Sequence, residues 1–161
     1  MTRIAIIGAG LSGLTVASIL KDFADITIFE KSRGVSGRLS TRREEPYYFD
    51  HGAQYFTVRT KAFQSFIQPM VDIGVIQRWD ARYVKFDGNK IIDNKNWVQD
   101  EPRYVGVPTM NAMAKHLAVD LDINFNTKII GLTKEINWRL ESENSNCFKD
   151  FDWVISTAPA P

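Results

Sequence analysis

The chain has 161 residues, 44% hydrophobic and 24% charged, a balance that fits one soluble globular domain and excludes a disordered or fibrous chain. Lysine and arginine number 20 against 19 aspartate and glutamate, so the formal charge of +1 creates no strong field for nucleic acid or an anionic membrane, and neither partner is expected. The single cysteine, Cys147, excludes an internal disulfide and reads as an inert thiol in a reducing, cytoplasmic setting; with only His51 and His116 in the chain, no spaced Cys/His set suggests a metal.

The first long uncharged stretch, IAIIGAGLSGLTVASIL from Ile4 to Leu20, has the hydropathy of a signal or a short anchor. Three glycines and two serines interrupt it, no cleavage site follows, and at 17 residues it falls short of the roughly 20 that cross a bilayer. It divides better into two elements. Arg3 to Ile7 is a β-branched strand, and Gly8-Ala9-Gly10-Leu11-Ser12-Gly13 follows at once as G-x-G-x-x-G, joining it to a helix from Leu11 to Lys21. Gly8 suits a tight turn, Gly10 close approach of a pyrophosphate, and Gly13 close packing of helix on strand. The first amides of the helix and its positive dipole end would face the phosphates. No Lys-Ser or Lys-Thr follows the glycines, so a P-loop is excluded.

Ile26 to Phe29 reads as a second buried strand, closed by Glu30, 22 positions after Gly8, where an acidic residue is expected to hold ribose hydroxyls. Its bland alternative is a solvated strand end. A carboxylate there fits NAD or the ADP half of FAD and disfavours NADP, whose 2′-phosphate it would repel. Parallel strands buried on both faces account for the lack of alternation that made the run look membrane-like. The loop Glu30-Lys31-Ser32-Arg33-Gly34-Val35-Ser36-Gly37-Arg38 then offers a second phosphate contact, with Arg38 able to fork onto phosphate oxygens; a solvated basic loop is the alternative.

Tyr47, Tyr48, Phe49, Tyr55 and Phe56 alternate with polar residues as strands with one buried face do, so most are expected in the core. Asp50 and His51 are adjacent on a strand, which points their side chains to opposite faces and argues against a dyad; His51 is read as structural or flavin-adjacent. Lys61 to Asp72 carries Phe63, Phe66, Ile67, Met70 and Val71 at helical spacing, with Pro69 marking a kink or an early end. Ile76–Trp79, Tyr83–Phe86 and Lys90–Ile92 read as short strands, the last two joined at Asp87-Gly88, and Asp93 to Pro102 as a loop. Thr109 is expected to cap a helix running through Ala118, Ile129–Lys134 and Trp138–Glu141 to form a hairpin, and Trp153–Thr157 to be one more buried strand.

The stretches EKSRGVSGRLSTRR, FDHGAQYFT, YVGVPTMNAMAKHLA, NTKIIGLTKEINWRL and FDWVISTAPAP, in that order, resemble the flavin-dependent amine oxidase superfamily, most closely its renalase-like branch, over essentially the whole chain. The resemblance implies an α/β fold: a Rossmann-like FAD-binding domain with a parallel sheet, plus an incomplete antiparallel substrate-side β layer. It implies an FAD-binding βαβ core over 1–58, the start of a substrate-side region over 59–102, and a return to the FAD-binding domain over 103–161. A further half of comparable size completes the fold in the family, so the chain is read as the amino-terminal, FAD-binding half.

Carried over by residue, the resemblance puts Ser12 at the pyrophosphate turn, Glu30 on the ribose, Arg38 on phosphate, Gln54 and Tyr55 by the flavin end, and Ile129 near the adenine by its backbone. Gly8, Gly10, Leu11, Gly13, Lys31 and Gly37 complete the candidate cofactor set. The implied activity is hydride transfer from a small reduced donor, a reduced nicotinamide isomer or an amine, to FAD and then to O₂; no catalytic acid or base stands out. Ser36-Gly37 replaces the usual glycine pair before Arg38, and Thr109 stands where relatives commonly have glycine. Two alternatives are a non-catalytic nucleotide-binding module and an NAD-dependent dehydrogenase.

Overall fold

The structure, a computed structural model, describes residues 1–97 and 101–159. In chain order its elements are β1 (Thr2–Ile7), α1 (Leu11–Leu20), β2 (Ala24–Phe29), a 3₁₀ turn (Gly37–Leu39), β3 (Thr41–Glu44), β4 (Tyr47–Asp50), β5 (Phe56–Thr57), α2 (Lys61–Asp72), β6 (Ile76–Arg78), β7 (Arg82–Asp87), β8 (Lys90–Asn96), β9 (Arg103–Gly106), α3 (Ala112–Leu117), β10 (Asp122–Asn124), β11 (Ile129–Lys134), β12 (Trp138–Ser142), β13 (Cys147–Phe151) and β14 (Trp153–Ser156). They fall into two units, residues 1–40 with 114–161, and residues 41–113.

The first unit is α/β. Its parallel sheet runs β10-β2-β1-β14, with β2 on one side of β1 and the crossover partner β14 on the other. This order places a topological switch point at the carboxyl end of β1, where ligands of open α/β sheets bind. Alternate residues of β1 explain its unbroken hydrophobicity: Ile4 and Ile6 join Leu14 and Ala17 of α1 in one cluster, while Ala5 joins Phe29, Leu140 and Phe151 in another. Ile6, Leu14 and Ile28 are fully buried, each contributing roughly 1.5–3 kcal/mol. The expected hairpin forms as β11–β12 and is extended by β13 into a three-stranded antiparallel sheet, Phe29 packing on Phe148 at 4.6 Å and on Phe151 at 5.9 Å.

The second unit holds the hairpin β3–β4, the antiparallel sheet β5-β9-β6 with α2 against β6, and the hairpin β7–β8. Ile67 and Met70 form the buried face of α2, and Pro69 sits in its last turn without ending it. Gly88, at φ +55°, makes the turn between β7 and β8.

Several expectations are corrected. Tyr47, Tyr48 and Phe49 are 64%, 59% and 53% exposed, because β3 and β4 form a two-stranded sheet and alternation then marks a strand without a core behind it. The loop expected over 93–102 starts later: Asp93 to Asn96 pair with Lys85 to Arg82 in a hairpin exposed on both faces, where polar residues are not penalised; residues 98–100 lie outside the described residues. Thr109 caps no helix at its own position; its hydroxyl donates to Asn111 Oδ1 at 2.9 Å, its carbonyl accepts Ala112 N, and α3 starts three residues on. β14 is an edge strand and leaves Trp153 63% exposed. The short strands β9, β10 and β13 were not anticipated. No described helix is long and apolar enough to cross a membrane.

Candidate nucleotide-binding site

The turn after β1 is built around backbone. Gly8 takes φ +103° and donates from N to Phe29 O at 2.8 Å, tying the end of β1 to the end of β2. A Cβ on Gly8 would also meet Thr157 Oγ1 at 2.9 Å. Gly13 sits still tighter: a Cβ there would lie 2.0 Å from Gly8 O, so α1 reaches the turn only without a side chain at this position. Gly10 is different. Its φ of −79° and ψ of 178° suit any residue, and a Cβ on it would meet nothing within 4 Å, so no protein atom demands glycine there. It is the N-cap of α1, whose first intrahelical bond runs from Leu14 N to Gly10 O; the amides of Leu11, Ser12 and Gly13 precede that bond and have no intrahelical acceptor.

Glu30 is only 7% exposed and points at the glycine turn. Its Oε2 accepts Ala9 N at 2.8 Å and its Oε1 accepts Ser32 N at 2.8 Å. Its own N donates to Asn124 O and its carbonyl accepts Thr127 N, each at 2.9 Å. The carboxylate is thus held by fixed donors, and since each ionised oxygen has two lone-pair sites, both keep capacity for a ligand hydroxyl.

The loop after Lys31 folds back on the turn. Ser36 N donates to Ala9 O at 3.0 Å, Ser36 and Gly10 form a parallel bridge, and a Cβ on Gly37, at φ +52°, would lie 3.3 Å from Gly10 Cα. Arg38 follows in the 3₁₀ turn, and among the described residues neither Arg38 nor Lys31 makes an ion pair.

Together these residues line a cleft of about 680 Å³ belonging entirely to the first unit. Gly8, Gly10, Leu11, Ser12, Glu30, Lys31, Gly37, Arg38 and Ile129 all line it; Gly13 lies behind it, against Gly8. Gln54 and Tyr55 belong to the second unit and are not among its lining residues; Tyr55 is 41% exposed and packs with Trp79 and Trp97 at centroid distances of 6.1 and 5.1 Å. Lys31 and Arg38 set two cations without a described ion pair against the carboxylate of Glu30, while Lys128, also at the cleft, is held by Glu143 at 2.8 Å, a balance suited to an anionic ligand such as a diphosphate.

Ser32 and Ser36 line the cleft from within the loop expected to meet phosphate; the sequence reading missed Thr127, Lys128, Thr157, Ala158 and Pro159. They come from chain segments brought together only in the fold, and the one signal for them was their place at the edges of apolar strands. Thr157 also holds the turn in place, since its hydroxyl lies 3.0 Å from Ile7 O and 3.2 Å from Gly8 O, and its N donates to Ile7 O. Thr157→Val keeps the shape and removes that donor, so a loss of about 1 kcal/mol is expected, seen as a melting temperature lower by roughly 2–4 °C.

The NAD(P)-binding Rossmann-like domain family matches residues 6–69. A segment of 56 residues is 43% identical to the Drosophila melanogaster protein named "Possible lysine-specific histone demethylase 1", covering 34% of this chain and 6% of that protein. A segment of 51 residues is 41% identical to 4,4'-diapophytoene desaturase (4,4'-diaponeurosporene-forming) of Staphylococcus aureus, covering 31% of this chain and 10% of the desaturase. Among solved structures, tetracycline destructase Tet(51) superposes with a TM-score of 0.66 at 17% identity over 98% of this chain and 38% of its own. The 2,6-dihydroxypyridine-3-hydroxylase of Arthrobacter nicotinovorans gives 0.59 at 15% identity over 95% and 36%. The chain therefore spans well under half the length of each of these proteins. Its α/β fold, Rossmann-like with a parallel sheet, is shared with both solved structures across nearly all of its length, and residues 6–69 are similar to the NAD(P)-binding Rossmann-like domain family.

Proposed function

We propose that the cleft holds the ADP half of FAD and that the chain is the FAD-binding part of an oxidoreductase of the amine oxidase superfamily, renalase-like in type and cytoplasmic, with a small reduced donor as substrate and O₂ as electron acceptor. The observation that carries the reading is Gly10. A glycine that no protein atom requires, in an ordinary backbone conformation and lining the cleft, leaves open the space that a Cβ would take from a diphosphate. The amides of Leu11 and Ser12 would bind the phosphates, Glu30 the ribose hydroxyls, Arg38 a phosphate oxygen by its fork, and Ile129 the adenine through its backbone, with Gly13 behind them letting α1 reach the turn. FAD, when bound, supplies the hydride-accepting chemistry, and these residues supply position and charge. The demethylase and desaturase similarities support an oxidoreductase context.

Thermal melting with FAD, ADP and NADH tests this. At a hundredfold excess over Kd a ligand stabilises by about 2.7 kcal/mol, a rise of roughly 5–10 °C. FAD and ADP are expected to give saturable rises, with no preference for NADH over FAD. Failure of both FAD and ADP refutes the reading, a preference for NADH favours a dehydrogenase, and an equal response to ADP and FAD favours a nucleotide-binding module without turnover.

A further inference from the structure

Ser36 adopts φ +120° and ψ −24°, a region open to glycine and strained for any residue with a Cβ. What holds it there is backbone: its N donates to Ala9 O at 3.0 Å, its carbonyl accepts Leu39 N at 2.9 Å, and it bridges to Gly10. Glycine would make every one of these contacts without the strain. The side chain does nothing for the fold in return. Ser36 is 2% exposed, its hydroxyl makes no hydrogen bond to any described residue, and it lines the cleft with Gly10 and Gly37. A hydroxyl that bonds no described residue, on a strained backbone at the wall of the cleft, is explained by a partner that enters the cleft.

We propose that Ser36 is a phosphate-contacting residue: its hydroxyl donates to an oxygen of the nucleotide diphosphate, so the loop gives up stability in the free protein for affinity in the complex. The inference rests on the nucleotide reading above. It adds to that reading a side-chain donor to a site otherwise made of backbone amides and cations.

The test is ADP titration by calorimetry, with melting temperatures of the free proteins, for the parent chain, Ser36→Ala and Ser36→Gly. Alanine keeps the strain and loses the hydroxyl, so Ser36→Ala is expected to bind ADP about tenfold more weakly at an unchanged melting temperature. Glycine loses both, so Ser36→Gly is expected to bind about as weakly as Ser36→Ala while melting roughly 2–4 °C higher than the parent. If the parent binds ADP and Ser36→Ala binds it equally well, this assignment is overturned and the nucleotide reading stands. If the parent does not bind ADP, both fall together.

Discussion

Replacing Gly13 by alanine is expected to remove a large part of the first unit's stability, while the same replacement at Gly10 leaves the fold intact and weakens ligand binding. At Gly13 the added Cβ would lie 2.0 Å from a backbone oxygen, that of Gly8, and no side-chain rotation can relieve that contact. Either the turn or α1 must move, and α1 carries Leu14 and Ala17 in the fully buried cluster with Ile6 and Ile28. Overpacking against backbone in a close-packed interior costs about 3 kcal/mol, a melting temperature lower by roughly 6–12 °C. At Gly10 the added Cβ meets no protein atom and the backbone angles suit alanine, so Gly10→Ala is expected to stay within about 0.5 kcal/mol of the parent. Its ADP affinity is expected to fall at least about tenfold, since the methyl group takes space at the start of α1 that the phosphates need for their hydrogen bonds to the helix amides. Melting curves and ADP titrations of the two variants check this. A Gly13→Ala protein as stable as the parent, or a Gly10→Ala protein that binds ADP as well, contradicts the division of roles.

Glu30 is expected to serve fold and ligand together. In Glu30→Ala the amides of Ala9 and Ser32 lose the carboxylate oxygens they reach at 2.8 Å. Ala9 is fully buried and has no water to turn to, whereas Ser32 is exposed, so the expected loss is about 2 kcal/mol rather than twice that, with ADP affinity down at least about tenfold. Glu30→Gln is not a gentle change. Two donors converge on the two oxygens of this side chain, and an amide places its own NH₂ against one of them. Glu30→Gln is therefore expected to lose about 1–2 kcal/mol and to bind ADP as weakly as Glu30→Ala. Denaturant unfolding with ADP titration checks both variants, and a Glu30→Gln protein indistinguishable from the parent rules out the clamp.

The first strand, turn, helix and second strand were legible because their signals are local: β-branched runs at Ile4 to Ile7 and Ile26 to Phe29, glycines at fixed offsets, and an acidic residue at the strand end. What the sequence could not show is which glycine answers to the protein and which to a ligand. Gly10 and Gly13 look alike in G-x-G-x-x-G, and only the 2.0 Å approach at one and the open space at the other separate them. The clamp made by Glu30 was likewise illegible, since it depends on β2 ending beside the turn after β1. Period-two alternation identified strands around Tyr47 to Phe49 but not the burial of either face, which is set by what packs on the hairpin. β10 escaped notice because it has three residues, Asp122 to Asn124, two of them polar, and is a strand by virtue of pairing with Thr27, Ile28 and Phe29. The cleft residues Thr127, Lys128 and Thr157 lie about a hundred or more positions from the glycines they join in space, beyond the reach of any local pattern.

The central claim is that backbone amides at the start of α1, closed by Glu30 and the Ser36–Arg38 loop, receive an adenosine diphosphate group. The most direct measurement is the ¹⁵N–¹H amide spectrum of the labelled chain during titration with ADP. The amides of Gly10 to Gly13 and of Ser36 to Arg38 are expected to shift together along one saturable curve, while those of the β7–β8 hairpin stay in place. A spectrum that does not respond to millimolar ADP, or one whose largest shifts fall between residues 41 and 113, would contradict the account.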